Sequence, residues 1–398
     1  MNNIYAALEI GTTRTVLAIG ESENGGRLKV TCHAEIPSTG VRKSQILDIN
    51  QATQSILSVL HETEKKQDEA GLKITIGNAF LVINGQHVKT TAAQGMAQLN
   101  GRVSEEDINE ALRSSRAIPT PKDRELLDIV DQDYEVDNLS GVTTPKGMSG
   151  HILKLNTLQI AADGNRIQNA RTAADGAHLE IREPLFAATC AADAVLDDSE
   201  RKNGVLVVDA GGGSTGYAAY SDGYLVTAGV IGVGGDHVTN DIAHAFQTTN
   251  SQAEQLKVTE ACAMLSADAG NSARIKVPGS NPLMESRTIS RRSLNTVVNA
   301  RLRETFTVLR ETLDEQGLAN RLHSGIVLTG GGARMNGIDA LVEQTMGMNV
   351  RLGRPMNVDG LEDTDFPPSF AAIAGALLYA HRNYEEKSIF DGFRRLFK

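Results

Sequence analysis

Apolar residues run from Ile4 to Ile19 on either side of Gly11-Thr12-Thr13, and the β-branched residues among them predict two strands joined by a turn. From Ile49 to Lys65 the pattern changes: Ile56, Leu57, Val59 and Leu60 mark the apolar face of an amphipathic helix. Ile74 to Ile83 is again strand-like. Between Gly85 and about Ala162 the chain changes character. A helix begins after Ser104, which caps it. Glu105 and Glu106 suit its positive end, and Ile108, Ala111 and Leu112 form its inner face. Pro119 and Pro121 stop it, and strand-like pieces and the glycine-rich stretch Gly141 to Gly150 surround it, as in a small inserted α+β unit. Gly204 to Tyr220 repeats strand, glycine turn, strand. Ser290 to Glu315 predicts a long charged helix with Leu294, Val297, Val298, Leu302, Phe306 and Leu309 at helical spacing. A short strand, Ile326-Val327-Leu328, runs into Thr329 and three glycines, and a helix follows from about Asn336.

Composition narrows the class. The chain has 398 residues, 40% hydrophobic and 22% charged, an ordinary soluble profile too long for one core, so at least two domains are expected. A net charge of -10 argues against a nucleic-acid partner, which needs a basic face. Cys32, Cys190 and Cys262 are far apart and odd in number. They exclude a disulfide framework and a CxxC zinc site, fit a reducing compartment, and are expected to be buried as small apolar residues. The N-terminus lacks the basic and apolar regions of a signal peptide. The longest apolar run, Phe370 to Ala380, is about half the ~20 residues a spanning helix needs, so it reads as a buried helix of a cytoplasmic protein.

The chemistry lies in an internal repeat. Ala7-Leu8-Glu9-Ile10-Gly11-Thr12-Thr13 and Val207-Val208-Asp209-Ala210-Gly211-Gly212-Gly213-Ser214-Thr215 each place an acid two residues before glycine and hydroxyls after it. Glycines let backbone N–H groups approach a polyphosphate, and Thr12, Thr13 and Ser214 add donors. The acids hold hydrated Mg²⁺, a hard cation that takes carboxylate and water oxygens. Gly330-Gly331-Gly332, between a strand and a helix, puts close-approach backbone where α/β folds bind ligands. A lone copy reads as a tight hairpin; three in this order point to a phosphate cleft.

The tail has a chemistry of its own. From Ser388, a helix puts Ile389, Phe390, Phe393, Leu396 and Phe397 on one face and Asp391, Arg394, Arg395 and Lys398 toward the other. A basic, aromatic amphipathic helix on an acidic body is an interfacial membrane anchor or a terminal helix docked on the core.

Two hairpins followed by a TGGG loop resemble the superfamily of actin, heat-shock chaperones and sugar kinases. That resemblance implies an α/β fold of two ribonuclease H-like halves, each with a five-stranded mixed sheet, clamping ATP and Mg²⁺. It assigns the phosphates to Gly11, Thr12, Thr13, Arg14, Gly211, Gly212, Gly213, Ser214 and Gly235. The adenosine falls to Gly330, Gly331 and Gly332, and metal organisation to Glu9 and Asp209 through water. Glu254 and Lys257, in Glu254-Gln255-Leu256-Lys257, resemble the helix that meets base and ribose; as a bare sequence feature Lys257 is equally a solvated surface lysine.

Within that superfamily the stretches ALEIGTTRTVLAIGE, LVINGQHVKTTAAQGMAQLNGRVSEEDI, EVDNLSGVTTPKGMSGHIL, VIGVGGDHVTNDIAHAF, AEQLKV and IVLTGGGARMNGIDAL resemble the bacterial cell-division family FtsA over nearly the whole chain. The implied organisation is subdomain 1A at 1–84, an inserted 1C at 85–162, 1A again at 163–187, 2A at 188–245, 2B at 246–320, 2A at 321–358, 1A at 359–384, and a linker with a membrane-targeting helix at 385–398. By the same resemblance the protein polymerises on the anionic inner surface of the cell membrane and takes the acidic C-terminal peptide of the GTPase FtsZ in 2B. There Arg287, Arg291 and Arg292 line a groove or else begin a solvated helix. Subdomain 1C is open to other division proteins. The pilus scaffold PilM shares 1C and is the alternative, followed by a small-molecule kinase. Gly216 stands where many of these proteins carry aspartate, which implies slow hydrolysis at most, with ATP acting as a switch. Glu183 is expected in an interdomain salt bridge.

Overall fold

A computed structural model describes residues 3–22, 26–265, 273–277, 279 and 286–396, with 385–396 as backbone only. The first hairpin pairs β1 (Asn3–Ile10) with β2 (Arg14–Ser22), and β3 (Leu28–Pro37) adds to it. The two-residue strands β4 (Val41–Arg42) and β5 (Gln45–Ile46) form a small hairpin. The Asp48 side chain then caps α1 (Ile49–Glu69) by accepting from the Gln51 amide. Ala52, Ile56, Val59 and Thr63 of α1 are buried, while Leu57 faces out, because it lies one residue off the 3.6-residue stripe. β6 starts at Asn78, later than Ile74, and runs to Ile83 parallel to β1.

The insertion comprises β7 (Lys89–Arg102), α2 (Glu105–Arg116), β8 (Arg124–Val136), β9 (Leu139–Val142) and β10 (Ser149–Asp163). Its four-stranded sheet runs β7-β10-β8-β9. Ser104 and Asp107 close a capping box on α2, whose Ile108, Ala111 and Leu112 cover Ala97, Leu99, Leu153 and Leu155. The insertion leans on the second half through two side chains introduced with β14 below. The chain returns through α3 (Gly164–Gly176) to β11 (Glu180–Phe186), parallel to β6.

α4 (Ala187–Val195) and α5 (Asp198–Asn203) lead to the second half. There β12 (Val205–Ala210) and β13 (Thr215–Ser221) repeat the hairpin and β14 (Tyr224–Ile231) forms the sheet edge. The Thr90 hydroxyl and the Gln132 amide of the insertion donate to the Ala228 and Leu225 carbonyls of this edge, at 2.7 and 2.6 Å. Next come α6 (Gly235–Ala245), α7 (Asn250–Thr259), β15 (Arg274–Val277), β16 (Arg287–Ser290) and α8 (Arg291–Glu315), capped by Ser290. β17 (Ile326–Thr329), α9 (Ile338–Met346) and β18 (Val350–Leu352) complete a sheet ordered β14-β13-β12-β17-β18. This half has the five strands expected. The first has six, because β19 (Val358–Asp359) crosses back to pair in parallel with β3.

The last helix, α10 (Ala371–Leu396), is one element from core to tail, so the backbone of the expected linker is helical; no proline interrupts it. The side chains of Ile389, Phe390, Phe393, Arg394, Arg395 and Leu396, and Phe397 and Lys398 entirely, lie outside the described residues. α4 and α10 are rich in alanine and lie so close that a Cβ at Gly375 would overlap the Cys190 carbonyl. Their core reaches both sheets. Val205 and Val207 of β12 point into it, and Leu206 and Val208 point into a second core under α8 and α9. Cys32 and Cys190 are buried as expected, whereas Cys262 is partly exposed; all three are free. Among the described residues Glu183 forms no interdomain salt bridge. Its carboxylate accepts from the hydroxyls of Tyr379 and Tyr384 on α10, at 2.9 and 3.5 Å, and so ties β11 to that helix.

Candidate functional site

The two glycine turns are built alike. Gly11 N–H donates to the Arg14 carbonyl and Gly211 N–H to the Ser214 carbonyl, each at 3.0 Å. A Cβ on Gly11 would lie 2.7 Å from Arg14 O, and one on Gly211 2.8 Å from Ser214 O, so neither turn accepts another residue without moving. The turns face each other across the cleft. A Cβ on Gly212 would overlap the Thr13 hydroxyl, and one on Gly213 the Thr12 hydroxyl. Gly330, at φ 83°, packs on the Asp209 carboxylate and the Ala210 carbonyl, closing the third side. Thr329 is fully buried and donates to the Pro368 carbonyl, which also accepts from Gly330 N–H.

The acids meet at the cleft floor. Burial pushes the Glu9 carboxyl up, opposed by the Arg14 guanidinium and reinforced by Glu35. Asp209 is pushed to about 7 by burial first and by Glu9 second; Arg14 and the amide of Asn84, 3.2 Å from Oδ2, act against this. Two crowded carboxylates in a low-dielectric floor suit a hard divalent cation. Among the described residues no three His, Cys, Asp or Glu side chains gather to hold a metal. A cation held here would need water or ligand oxygens for the rest of its shell, as Mg²⁺ accepts.

Arg14 is held within its own half. It pairs with Glu35, donates to the Ser369 carbonyl and lies 5.2 Å over the Phe370 ring. Behind the second turn, the Gly235 and Asp236 amides that open α6 donate to the Gly211 and Gly212 carbonyls, at 3.0 and 2.8 Å. Lys257 is no solvated lysine. Its side chain is 12% exposed, and its ammonium donates to Gly235 O at 3.2 Å, Thr239 Oγ1 at 2.9 Å and Glu254 Oε2 at 2.6 Å. This puts a fixed positive charge against the back wall of the cleft, beside Gly235.

Sequence reasoning missed the residues that cross the cleft. Asn84, at the end of β6, reaches Asp209. A Cβ on Gly216, opposite Asp209 in register, would lie 3.3 Å from both amide atoms of Asn84. Asn84 thus fills the space beside Gly216. Gln86 packs on Gly232, and Ser44 bonds to both glycine turns. A turn after a strand was the only signal for any of them.

Of the three arginines, Arg287 donates to Gln247 and Arg291 pairs with Glu260, so both are engaged in the fold. Arg274 and Lys276 are exposed on β15, opposite Ser290 and Thr288 of β16, whereas Arg287 stands opposite Val277 on the other face of the pair. No helix among the described residues is long and apolar enough to cross a membrane.

Two α/β halves facing each other through matched glycine hairpins, with a small sheet inserted in the first, define an actin-like fold. The chain is similar in structure to the PilM-PilN type IV pilus biogenesis complex, with TM-score 0.65 and 20% identity over 94% of this chain and 98% of that one. It is also similar to MreB5 of Spiroplasma citri bound to ADP, with TM-score 0.54 and 14% identity over 98% of each. The family model for cell division protein FtsA matches residues 206–375, and that for the SHS2 domain inserted in FtsA matches residues 85–161. Cell division protein FtsA of Pseudomonas aeruginosa is 35% identical over 94% of this chain and 89% of its own length. The chain belongs to the FtsA family of cell-division proteins, as the sequence resemblance implied.

Proposed function

We propose that this protein binds Mg²⁺ and ATP in the cleft, assembles into filaments, and holds FtsZ filaments at the inner surface of the cell membrane during division. The observation that carries the nucleotide reading is the facing pair of identical turns, Gly11 to Arg14 and Gly211 to Ser214, with Glu9 and Asp209 at their base. Backbone amides there suit phosphate, and the acids suit a hydrated cation. MreB5 of Spiroplasma citri, of the same fold, was solved with ADP and with AMPPNP. ATP serves as a switch with slow turnover, because no acid stands at Gly216 to organise the attacking water.

The acidic peptide of FtsZ docks in 2B at Arg287, Arg291 and Arg292, and 1C receives other division proteins. The tail from Ser388 lies in the interface, where each basic residue near anionic lipid contributes about 1 kcal/mol. The test is co-sedimentation with anionic vesicles of the full chain and of a chain ending at Glu386, with and without ATP. The full chain alone is expected to pellet. If neither pellets, the tether reading is lost and a PilM-like scaffold takes its place.

A further inference from the structure

Strands β4 and β5 are joined by Lys43 and Ser44 alone, both in the left-handed region at φ 49° and 56°. Two left-handed central residues make the hairpin turn that Asn-Gly fits best. Lysine and serine hold it at roughly 1–2 kcal/mol each. Val41 and Ile46 on either side pack against the first core, but the Lys43 side chain is exposed and contributes no burial of its own against this strain. The contacts of the turn all lead into the cleft. The Ser44 amide donates to Thr12 Oγ1 at 2.7 Å, and the Ser44 and Ser214 hydroxyls are 3.1 Å apart. A Cβ on Gly213 would lie 2.9 Å from Ser44 N and 3.0 Å from Lys43 Cα, so the turn rests on the second glycine loop. Its charge points the same way. The Lys43 ammonium helps hold the His237 ring neutral, after burial, and Arg42 acts on the Asp236 carboxylate; both targets lie in the first turn of α6.

A strained, cationic turn is thus bonded to hydroxyls of both glycine hairpins at the place where the two face each other. We propose that the Lys43–Ser44 turn is a third phosphate contact, which reads the terminal phosphate and so distinguishes ATP from ADP. This rests on the nucleotide reading above. The Ser44 amide and hydroxyl exchange their bonds to Thr12 and Ser214 for phosphate oxygens, and the Lys43 ammonium neutralises the added charge. The diphosphate ends short of the turn and leaves its bonds to Thr12 and Ser214 in place. Because Asp48 caps α1 four residues after Ser44, a shift of the turn is passed to that helix.

The test uses the full chain with the double substitution Lys43→Asn and Ser44→Gly, which removes the charge and the hydroxyl yet suits the turn better. Mg·ATP and Mg·ADP affinities are measured by calorimetry, alongside the melting temperature. The variant is expected to melt at or above the parent. Its ATP affinity should fall about tenfold or more, while its ADP affinity stays within about twofold. A variant that keeps the parent's ATP-to-ADP ratio, or a parent with no preference for ATP, overturns the proposal while leaving nucleotide binding intact. A parent that binds neither nucleotide overturns both.

Discussion

The two glycine hairpins share one turn geometry and differ in what holds them. The first is fastened by its own half: Arg14 pairs with Glu35, reaches Ser369 and covers Phe370. The second is held from its own half by the Gly235 and Asp236 amides and by Gly330, and it is bonded across the cleft as well, by Asn84 to Asp209 and by Ser44 to Ser214. A jaw whose arginine is tied within its own half therefore faces one that is also bonded to the other half. Only the second carries three glycines in a row, which leaves its backbone free to follow.

The largest test removes what the two jaws share. Gly330→Val puts a side chain onto the Asp209 carboxylate at a positive φ; it should destabilise the protein by about 3 kcal/mol and abolish nucleotide binding, read by urea unfolding and calorimetry. Next in size, Arg14→Ala should remove about 2 kcal/mol by unfinished pairing in the first jaw. Asn84→Ala, at the second, should remove only about 0.5 kcal/mol in unfolding but change the cleft chemistry. Equal losses from the two would break the contrast between jaws.

A separate test is read by pH. Asp209 is raised to about 7, so the folded, ligand-free state binds more protons than the unfolded one between its ordinary carboxylate range and that value. Stability then falls as pH rises from about 4 to about 7 and is level above it. Relative to the parent, Asp209→Asn should lack this fall. Asn84→Ala should carry it to higher pH, because the bond that favours the ionised form is gone. Denaturant midpoints across that range, compared between parent and variants, check both. Identical profiles for parent and Asp209→Asn would remove the acid pair from the account.

The jaws were legible in the sequence because each is a local pattern: an apolar strand, an acid, a glycine turn. The inserted unit was legible for the same reason, through Ser104 and its helix. What escaped depends on distant partners. The two residues of β19 are too few to carry a periodicity, and only their pairing with Leu28 and Lys29 makes them a strand. Leu57 looked apolar enough to face inward, yet the helical stripe passes beside it. Lys257, placed at the site by resemblance alone, has no signal of its own in the sequence, because its partners Gly235 and Thr239 lie on α6. Asn84 and Ser44 look like ordinary turn residues, and their meaning arises only where two halves of the chain meet.

The unbroken course of α10 has a mechanical consequence. From Gly375, wedged against Cys190 where the cores of both halves join, to Leu396 the helix spans about 30 Å. Such a rod is a lever with its fulcrum at the junction of the jaws. Force applied at its far end would be delivered to that junction rather than to either half alone.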